Sequence, residues 1–573
     1  MAVLTGVAQL PSDWPSVGNP NLSADGYAVT GIYWPYATRD SGSPLWGNRN
    51  YTANVSVPAQ RALAGVRQQS YMDDFYYRVH ITPGALALGN VISTQIAQIS
   101  LWNAWLVQRT LNSISGLDEG LSLSGQPSPP LVYEPTQERI YNLSIGVDGP
   151  AVLDALVQWI FDSGESPDLA ITGVRIIPWG FVPTWSDPII ERLTWATDIL
   201  QSSSAAEQRR ALRLSPRREL EAQVLVVGRE RQLLDMQLFS WSGRNWALPL
   251  WQFIQLTSAA LSSGAVRINC ATANRDFRVG GLVLLRGADA FTVEAAEILA
   301  IDAGGLDLTR PLQQAWPVRS RLYPAVPARF IEQPQLVRET DQFDSLGVRF
   351  RVTDTNDWPA ALPATLYRGY PVLEERPNES QDLTHAWQRL LLELDNGSGI
   401  PQAVDTAKRG IQIREHRWLL SGLAQQAAHR SLLYGLQGRL AAVWVPTHAD
   451  DITLTADITA ALMDIANIAY SRFGVTAAGA GAPGRRDVRI ELYSGVVYHR
   501  RITGATALSA DVERLTLDTS LGVTVTLAQV RRICWLQLCR LDQDSIEIAH
   551  HTDAEGVAES QAIFRAVRDE EFA

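Results

Sequence analysis

Ser215–Arg231 reads SPRRELEAQVLVVGRER, and Ala407–Gly422 reads AKRGIQIREHRWLLSG. Setting Arg217 against Arg409, 192 residues further on, opens a series of matches that keep their order along the chain. Upstream, ERLTWATDIL from Glu191 faces THAWQRLLLEL from Thr384, with Trp195 against Trp387. Downstream, a helical-looking stretch follows in each copy, Glu230–Phe239 and Leu423–Tyr434. Gly243-Arg244 then matches Gly438-Arg439. Each pair leads into Trp and Pro: Trp246, Pro249 and Trp251 in the first copy, Trp444 and Pro446 in the second. GGLDLTRPL (304–312) faces ERLTLDTSL (513–521), with Leu306 against Leu515, and VRFRV (348–352) resembles IFRAV (563–567). The offset drifts from 192 to 209, as insertions in loops produce. Six matches in one order read as a diverged internal duplication. Each copy reads as strand, long hairpin, helix and a run of strands, an α+β unit dominated by antiparallel sheet.

The chain before the duplication divides in two. Residues 1 to about 90 are rich in Pro, Gly, Asn, Ser and aromatics, as in Trp14-Pro15, Tyr33-Trp34-Pro35-Tyr36 and Tyr76-Tyr77. They read as extended arms and loops, with aromatics that dock on a neighbour or fold back on their own chain. From about Val91 to Pro178 come short strands with turn residues between them: Ile96–Trp102, Leu121–Leu123, Ile140–Val147, Val157–Phe161 and Leu169–Ile177. That spacing suggests a small antiparallel sandwich of immunoglobulin-like type.

Composition narrows the function classes. The chain has 573 residues, enough for about four domains. Its net charge of -11 and pI near 5.3 argue against a general binder of nucleic acid or anionic membranes. Three cysteines, Cys270, Cys534 and Cys539, cannot make a disulfide framework. No secretory signal is visible in Met1–Asp13. The most apolar window, Trp246–Leu256, is too short to span a bilayer and is broken by Pro249 and Gln252. Lys408 is the single lysine, and every other basic residue is arginine, the better residue for interface ion pairs.

Nothing in the chain asks for catalysis, metal or cofactor. Gly479–Gly484 is a literal G-x-G-x-x-G, but an apolar, helical-looking run (Ala460–Phe473) precedes it and a strand follows. A dinucleotide site needs the reverse order. Cys534 and Cys539 are five apart in a strand-like run, so they point to opposite faces and cannot chelate one metal. His550-His551 with Asp553 reads as an exposed hairpin end, and Asp73-Asp74 and Asp450-Asp451 as solvated turns. No G-x-S-x-G, Walker A, H-E-x-x-H or EF-hand pattern occurs. The Arg-rich segment Glu207–Arg213, continued by Arg217-Arg218-Glu219, reads as a solvated charged face or as an interface strip, with DNA contact a third reading that the acidic surroundings disfavour.

Several of these segments resemble tail-tip proteins of long-tailed bacteriophages and gene transfer agents. ERLTWATDIL, EQRRALR and PRRELEAQVLV, followed by a Gly-Arg turn and Trp, look like the opening of distal tail and baseplate components. LWNAW (101–105), SIGVDGPAVLDA (144–155) and WLQLCRLDQDSIEI (535–548) also look like parts of such proteins. The second copy lacks an EQRRALR equivalent. The resemblance implies a virion role assembled in the host cytoplasm, with no catalytic residues. It also implies a mainly β layout: an extended arm (1–90), a β-sandwich (91–180) and two tandem tail-tube-like α+β repeats (181–375 and 376–573).

Under that reading, two tube-like repeats per chain let three chains offer six similar units to a six-fold tail tube and a three-fold face to a central fibre or spike. The implied partners are the chain itself, as a trimer or a hexamer, with tail tube, tape measure and fibre proteins. DNA passes in transit, against an acidic wall that repels phosphates. No stable membrane association is expected. The interface residues expected from the motif are Glu207, Arg209, Arg213, Arg217, Arg244, Trp246, Trp251, Arg409, Arg414, Arg439 and Trp444. Two alternatives stand beside this adaptor. One is a hexameric distal tail ring that anchors side fibres. The other, of a different class, is a carbohydrate-binding or carbohydrate-degrading protein that uses the 18 Trp as sugar platforms.

Overall fold

A computed structural model describes residues 75–568 apart from 118–119, 148, 151, 476–484 and 555. The aromatic arm before Phe75, Asp73-Asp74 and the Gly479–Gly484 motif lie outside the described residues. The protein is mainly β, and the chain divides into two compact units, Met1–Ile177 and Pro178–Ala573.

Among the described residues, nine strands build the two sheets of the first unit. One sheet orders β1 (Val79–Thr82), β3 (Gln95–Asn103), β7 (Glu138–Ile145) and β5 (Leu121–Ser124). The other orders β2 (Ala85–Val91), β9 (Asp168–Arg175), β8 (Val152–Phe161), β4 (Arg109–Ser115) and β6 (Leu131–Tyr133). Alternation explains the packing: Leu153, Ala155, Val157, Trp159 and Phe161 point inward along β8 and meet Ile99, Leu101, Tyr141 and Leu143 of the facing sheet in one core. Two expectations are corrected here. Residues 79–82 and 85–90, read as part of the arm, belong to strands of this sandwich, in whose core Val79 and Val91 are buried. The sandwich is also not wholly antiparallel, since β2 pairs with β9 in parallel.

The second unit is built twice over. Its first half runs β10 (Ile189–Thr194), β11 (Thr197–Gln201), β12 (Glu207–Ala211), β13 (Arg217–Val227), α1 (Arg229–Trp241) and β14 (Trp246–Pro249). It continues through β15 (Arg267–Asn269), β16 (Leu282–Arg286), β17 (Val293–Asp302), β18 (Gly305–Leu308), β19 (Arg321–Phe330), β20 (Leu336–Arg338) and β21 (Phe343–Val352). The second half runs β22 (His385–Gln388), β23 (Leu391–Leu394), β24 (Gln402–Asp405), β25 (Ile411–Ser421), α2 (Leu423–Leu436) and β26 (Val443–Pro446). It continues through β27 (Leu462–Ala466), α3 (Tyr470–Phe473), β28 (Asp487–Leu492), β29 (Val497–Ala507), β30 (Val512–Leu517), β31 (Val530–Leu541), β32 (Ser545–His550) and β33 (Val557–Ala566). Counting strands of three residues or more, each strand of the first half has its counterpart twelve places on.

The ladders repeat with the elements. β13 pairs with β10 and β21, as β25 pairs with β22 and β33. β19 pairs with β14, β16 and β21, as β31 pairs with β26, β28 and β33. Even the bulge recurs: β17 slips between Ile298 and Ala300 against β18, and β29 between Ile502 and Gly504 against β30. Gly228 and Gly422, each at positive φ, turn the chain from strand into helix at matching points, a conformation that favours glycine.

Register corrects the sequence alignment. Leu306 and Leu515 are true counterparts, facing Ile301 and Ala505. Elsewhere the match slips. Glu219 faces Arg351 and Ile413 faces Arg565, so the offset in this region is 194 rather than 192. Arg217 therefore corresponds to Ile411, not Arg409, and Trp387 to Leu193, not Trp195. Val348–Val352 corresponds to Ala562–Ala566, which aligns Phe350 with Phe564. Trp246 corresponds to Val443, and Trp444 to Ala247, so the tryptophans do not share positions. Each misalignment matched like with like across a strand whose inward set, not its residue identities, is retained. The apolar run Ala460–Phe473, read as helical, holds strand β27 and the single turn α3, because Met463 and Ile465 alternate inward against β30.

In the first repeat, Trp179 meets Phe181, Trp246, Phe330 and Phe350 edge-on, and Phe330 stacks on Phe350 at 4.4 Å between centroids. Phe350→Ala is expected to cost about 3–5 kcal/mol, read as a lowered urea midpoint by tryptophan fluorescence.

Candidate assembly interface

The two repeats meet along one ladder. β10 of the first pairs antiparallel with β32 of the second, from Ile189 opposite His550 to Thr194 opposite Ser545. Alternation turns Glu191 and Leu193 to the buried side, with Ile546, Ile548 and His550 beside them. Leu193, Trp195 and Ala205 then share a core with Leu433, Tyr434, Leu436, Trp418 and Phe564 of the second repeat.

Glu191 is the hub of this joint. Arg430, from α2, donates to both of its oxygens at 2.6 and 2.5 Å, and Arg218, from β13, lies 2.7 Å away. Arg218 also bonds Asp276 at 2.5 Å, and Asp276 holds Arg278 at 2.9 Å. The Nε2 of His550 sits 3.0 Å from Glu191. Burial alone raises the pKa of Glu191, but Arg218, Arg430 and the bond from His550 outweigh it and hold the carboxyl well below the usual range. Burial pushes the pKa of His550 down against the pull of Glu191. The ring is therefore neutral, and it donates Nε2–H to a carboxylate that can only accept. Such a knot adds little net stability over an apolar core, yet it sets a geometry that no other register satisfies.

A second contact locks the joint from above. Hairpin β11–β12 lies on the second repeat. Arg209, ion-paired with Glu207, donates to the carbonyl of Arg439 at 2.5 Å, and Arg540 approaches Glu207. The carboxylate of Asp544 accepts from the backbone N–H groups of Thr197 and Arg439 and from the Thr197 hydroxyl. Gly438 is required where it sits, because a Cβ there would stand 2.8 Å from that of Trp195 and 2.5 Å from Asp544.

The residues expected to form interfaces divide accordingly. Glu207, Arg209 and Arg439 do hold two repeats together, within one chain. Arg213 donates to the carbonyls of Thr194 and Trp195, Arg409 to that of Val567, and Arg414 to that of Pro446. Arg244 stacks on Trp241 and Arg217 is exposed on β13. Trp246, Trp251 and Trp444 are corrected: each is buried inside its own chain and keeps no area for a partner. The His550-His551 pair is corrected too. His551 is exposed, but His550 is the inward residue that follows Ile546 and Ile548 along the strand. Asp451 is no free turn carboxylate, since it accepts from Trp535 N–H. Among the described residues, no group of three or more His, Cys, Asp or Glu is placed to hold a metal, and no helix is long and apolar enough to cross a membrane.

Sequence reasoning missed the knot itself. Arg218 carried a signal, because it falls in phase with the inward Leu220, Ala222, Val224 and Val226. Arg430 and Asp276 had none, since only the fold brings a helix and a loop to that strand.

The joint has two unfilled halves. β22, the counterpart of β10, ladders with β25 alone among the described residues, and β20, the counterpart of β32, with β21 alone. Leu193 and Leu433 are fully buried in the joint. Their counterparts, Trp387 and Phe239, are 53% and 88% exposed. No protein-family model matches the chain, and no curated protein is similar to it in sequence.

Two outcomes follow from the knot. Glu191→Gln leaves Arg430 without its carboxylate and Arg218 with Asp276 alone, and is expected to cost about 3–5 kcal/mol in urea unfolding. Burial, chiefly, also pushes His416 and His429 down to about 3 and His448 to about 4. These three groups stay neutral when folded and protonate on unfolding. Stability is therefore full above pH ~6.5 and falls as pH drops from there toward ~4, by about 1.4 kcal/mol per pH unit for each histidine. Urea midpoints measured at pH 8, 6 and 5 check this.

Proposed function

We propose that this chain is a structural component of a phage tail tip, a baseplate hub adaptor. Three copies close a ring of six repeats that joins a six-fold tail tube to a three-fold central fibre or spike and forms part of the DNA conduit. One observation carries the reading: each chain holds one filled joint between its repeats and one open half-joint at each end. Joining β22 of one copy to β20 of the next repeats the internal contact head to tail, and a head-to-tail contact closes as a ring when the rotation allows. The exposed counterparts Trp387 and Phe239 supply the apolar area that such a joint buries.

The surface chemistry supports passage of DNA rather than its retention. On the solvent face of the β10–β13–β21 ladder, Arg192 pairs with Glu547 and Glu219, Arg351 with Glu219, and Arg349 with Glu221. Arginines neutralised in this way release few counterions to phosphate.

The expected native mass by light scattering is three times 63.1 kDa. Trp387→Asp and Phe239→Asp each return it to one chain without changing the circular dichroism, because both side chains are exposed. Cryo-EM of intact particles places the assembly: three copies beneath a six-fold ring support the adaptor. Six copies move the chain to a distal tail ring, and no density in the particle discards the structural reading in favour of a sugar-binding one.

A further inference from the structure

Hairpin β23–β24 is the counterpart of β11–β12, and the two agree in detail. Thr197 faces Ala211 and Gln201 faces Glu207; 194 residues on, Leu391 faces Asp405, and the same register runs to Leu394 opposite Gln402. Five residues close the first loop, 202–206, and seven the second, 395–401. Their surroundings differ. β11–β12 is seated, with Ala205 in the shared core and the Arg209 side chain nearly buried. β23–β24 is exposed at every position but Asp405, and it displays Leu391, Leu392, Leu394, Val404 and, at its tip, Ile400 at 93% exposure. A lone two-stranded ribbon so apolar is marginal in water unless something covers it.

The cover can be read from the first hairpin. Its seat consists of the Gly438-Arg439 turn, Arg540 and Asp544. Carried into the first repeat, these become the turn between α1 and β14, which holds Gly243 and Arg244, together with Arg329 and Glu332. Within one chain that seat stands empty of a hairpin. The turn follows α1, whose Met236 and Phe239 are exposed; Arg244 belongs to it, and Arg329 follows Ala328, the residue paired with Trp246 where the turn ends. The hairpin is their complement: residues 391–405 carry Glu393, Asp395 and Asp405 and no basic residue.

We propose that hairpin Leu391–Asp405 is an arm that clasps the first repeat of a second copy of this chain. It seats on the Gly243-Arg244 turn beside α1 as β11–β12 seats on its own second repeat. The proposal rests on the ring reading and names the contact that latches it. Ala403 stands at the register position of Arg209, and Arg244 lies in the turn between α1 and β14 that matches the turn holding Arg439, so these two residues come together across the copies.

The test joins Ala403→Cys with Arg244→Cys in a Cys270→Ser background, Cys534 and Cys539 being buried. A short bismaleimide is expected to link chains into two- and three-chain bands on a denaturing gel, whereas Arg209→Cys with Arg439→Cys links only within the chain. In parallel, amide exchange across 391–405 is expected to be slow in the assembly and at least tenfold faster in the Trp387→Asp single chain. A native mass of three chains with no linked bands and unprotected hairpin amides overturns the clasp and leaves the ring standing. A wild-type native mass of one chain overturns both.

Discussion

An ionised carboxylate sealed from water must be matched by cations held in fixed places, and Glu191 imposes that demand on four elements at once. β10 carries it, β13 and α2 supply the guanidiniums of Arg218 and Arg430, and β32 supplies His550. None of these can shift by a residue without stranding a buried charge. The β10–β32 ladder, the shared core beneath it and the seating of the first hairpin all follow from that alignment. The continuity of the sheet across two repeats is thus secured by electrostatics at one point and by apolar packing around it.

Sheet edges supply the second constraint. A strand with an unpaired edge offers N–H and C=O groups to whatever can use them. At the internal joint both edges are consumed. β22 and β20 keep theirs, and both are short and wholly exposed. The proposed ring is the arrangement in which these edges meet the partners that their counterparts already have, and it places Trp387 and Phe239 where Leu193 and Leu433 show how such residues pack.

Much of the fold was legible in the chain. Period-two alternation located β3, β7, β8 and β9, and the repeat located α1, α2 and the strands around them. The residue-level alignment was less legible, because strand cores keep a pattern of inward positions while identities drift, and matching tryptophan to tryptophan placed Trp387 two residues off. Of the expected interface residues, Glu207 and Arg209 lie at the contact between the two repeats of one chain, and charge in a β segment made them conspicuous. Trp246, Trp251 and Trp444 were misassigned because a large aromatic suits a core and an interface equally well. The knot at Glu191 depended on helix and loop placements that no local pattern encodes, apart from the phase of Arg218.

Linking two repeats in one polypeptide also changes how their contacts can diverge. At the filled joint the pattern is Glu191, Arg218, Arg430 and His550; the matching positions of the other repeat hold His385, Gln412, Met236 and Arg338. In a ring of identical single-repeat subunits, one codon change alters every contact together, and a substitution tolerable only with its compensating partner has no intermediate. With each half written separately, the charged set at one joint can change without altering the matching positions of the other repeat. In the proposed ring, a fused pair would therefore carry two chemically distinct seams without breaking the shape they share.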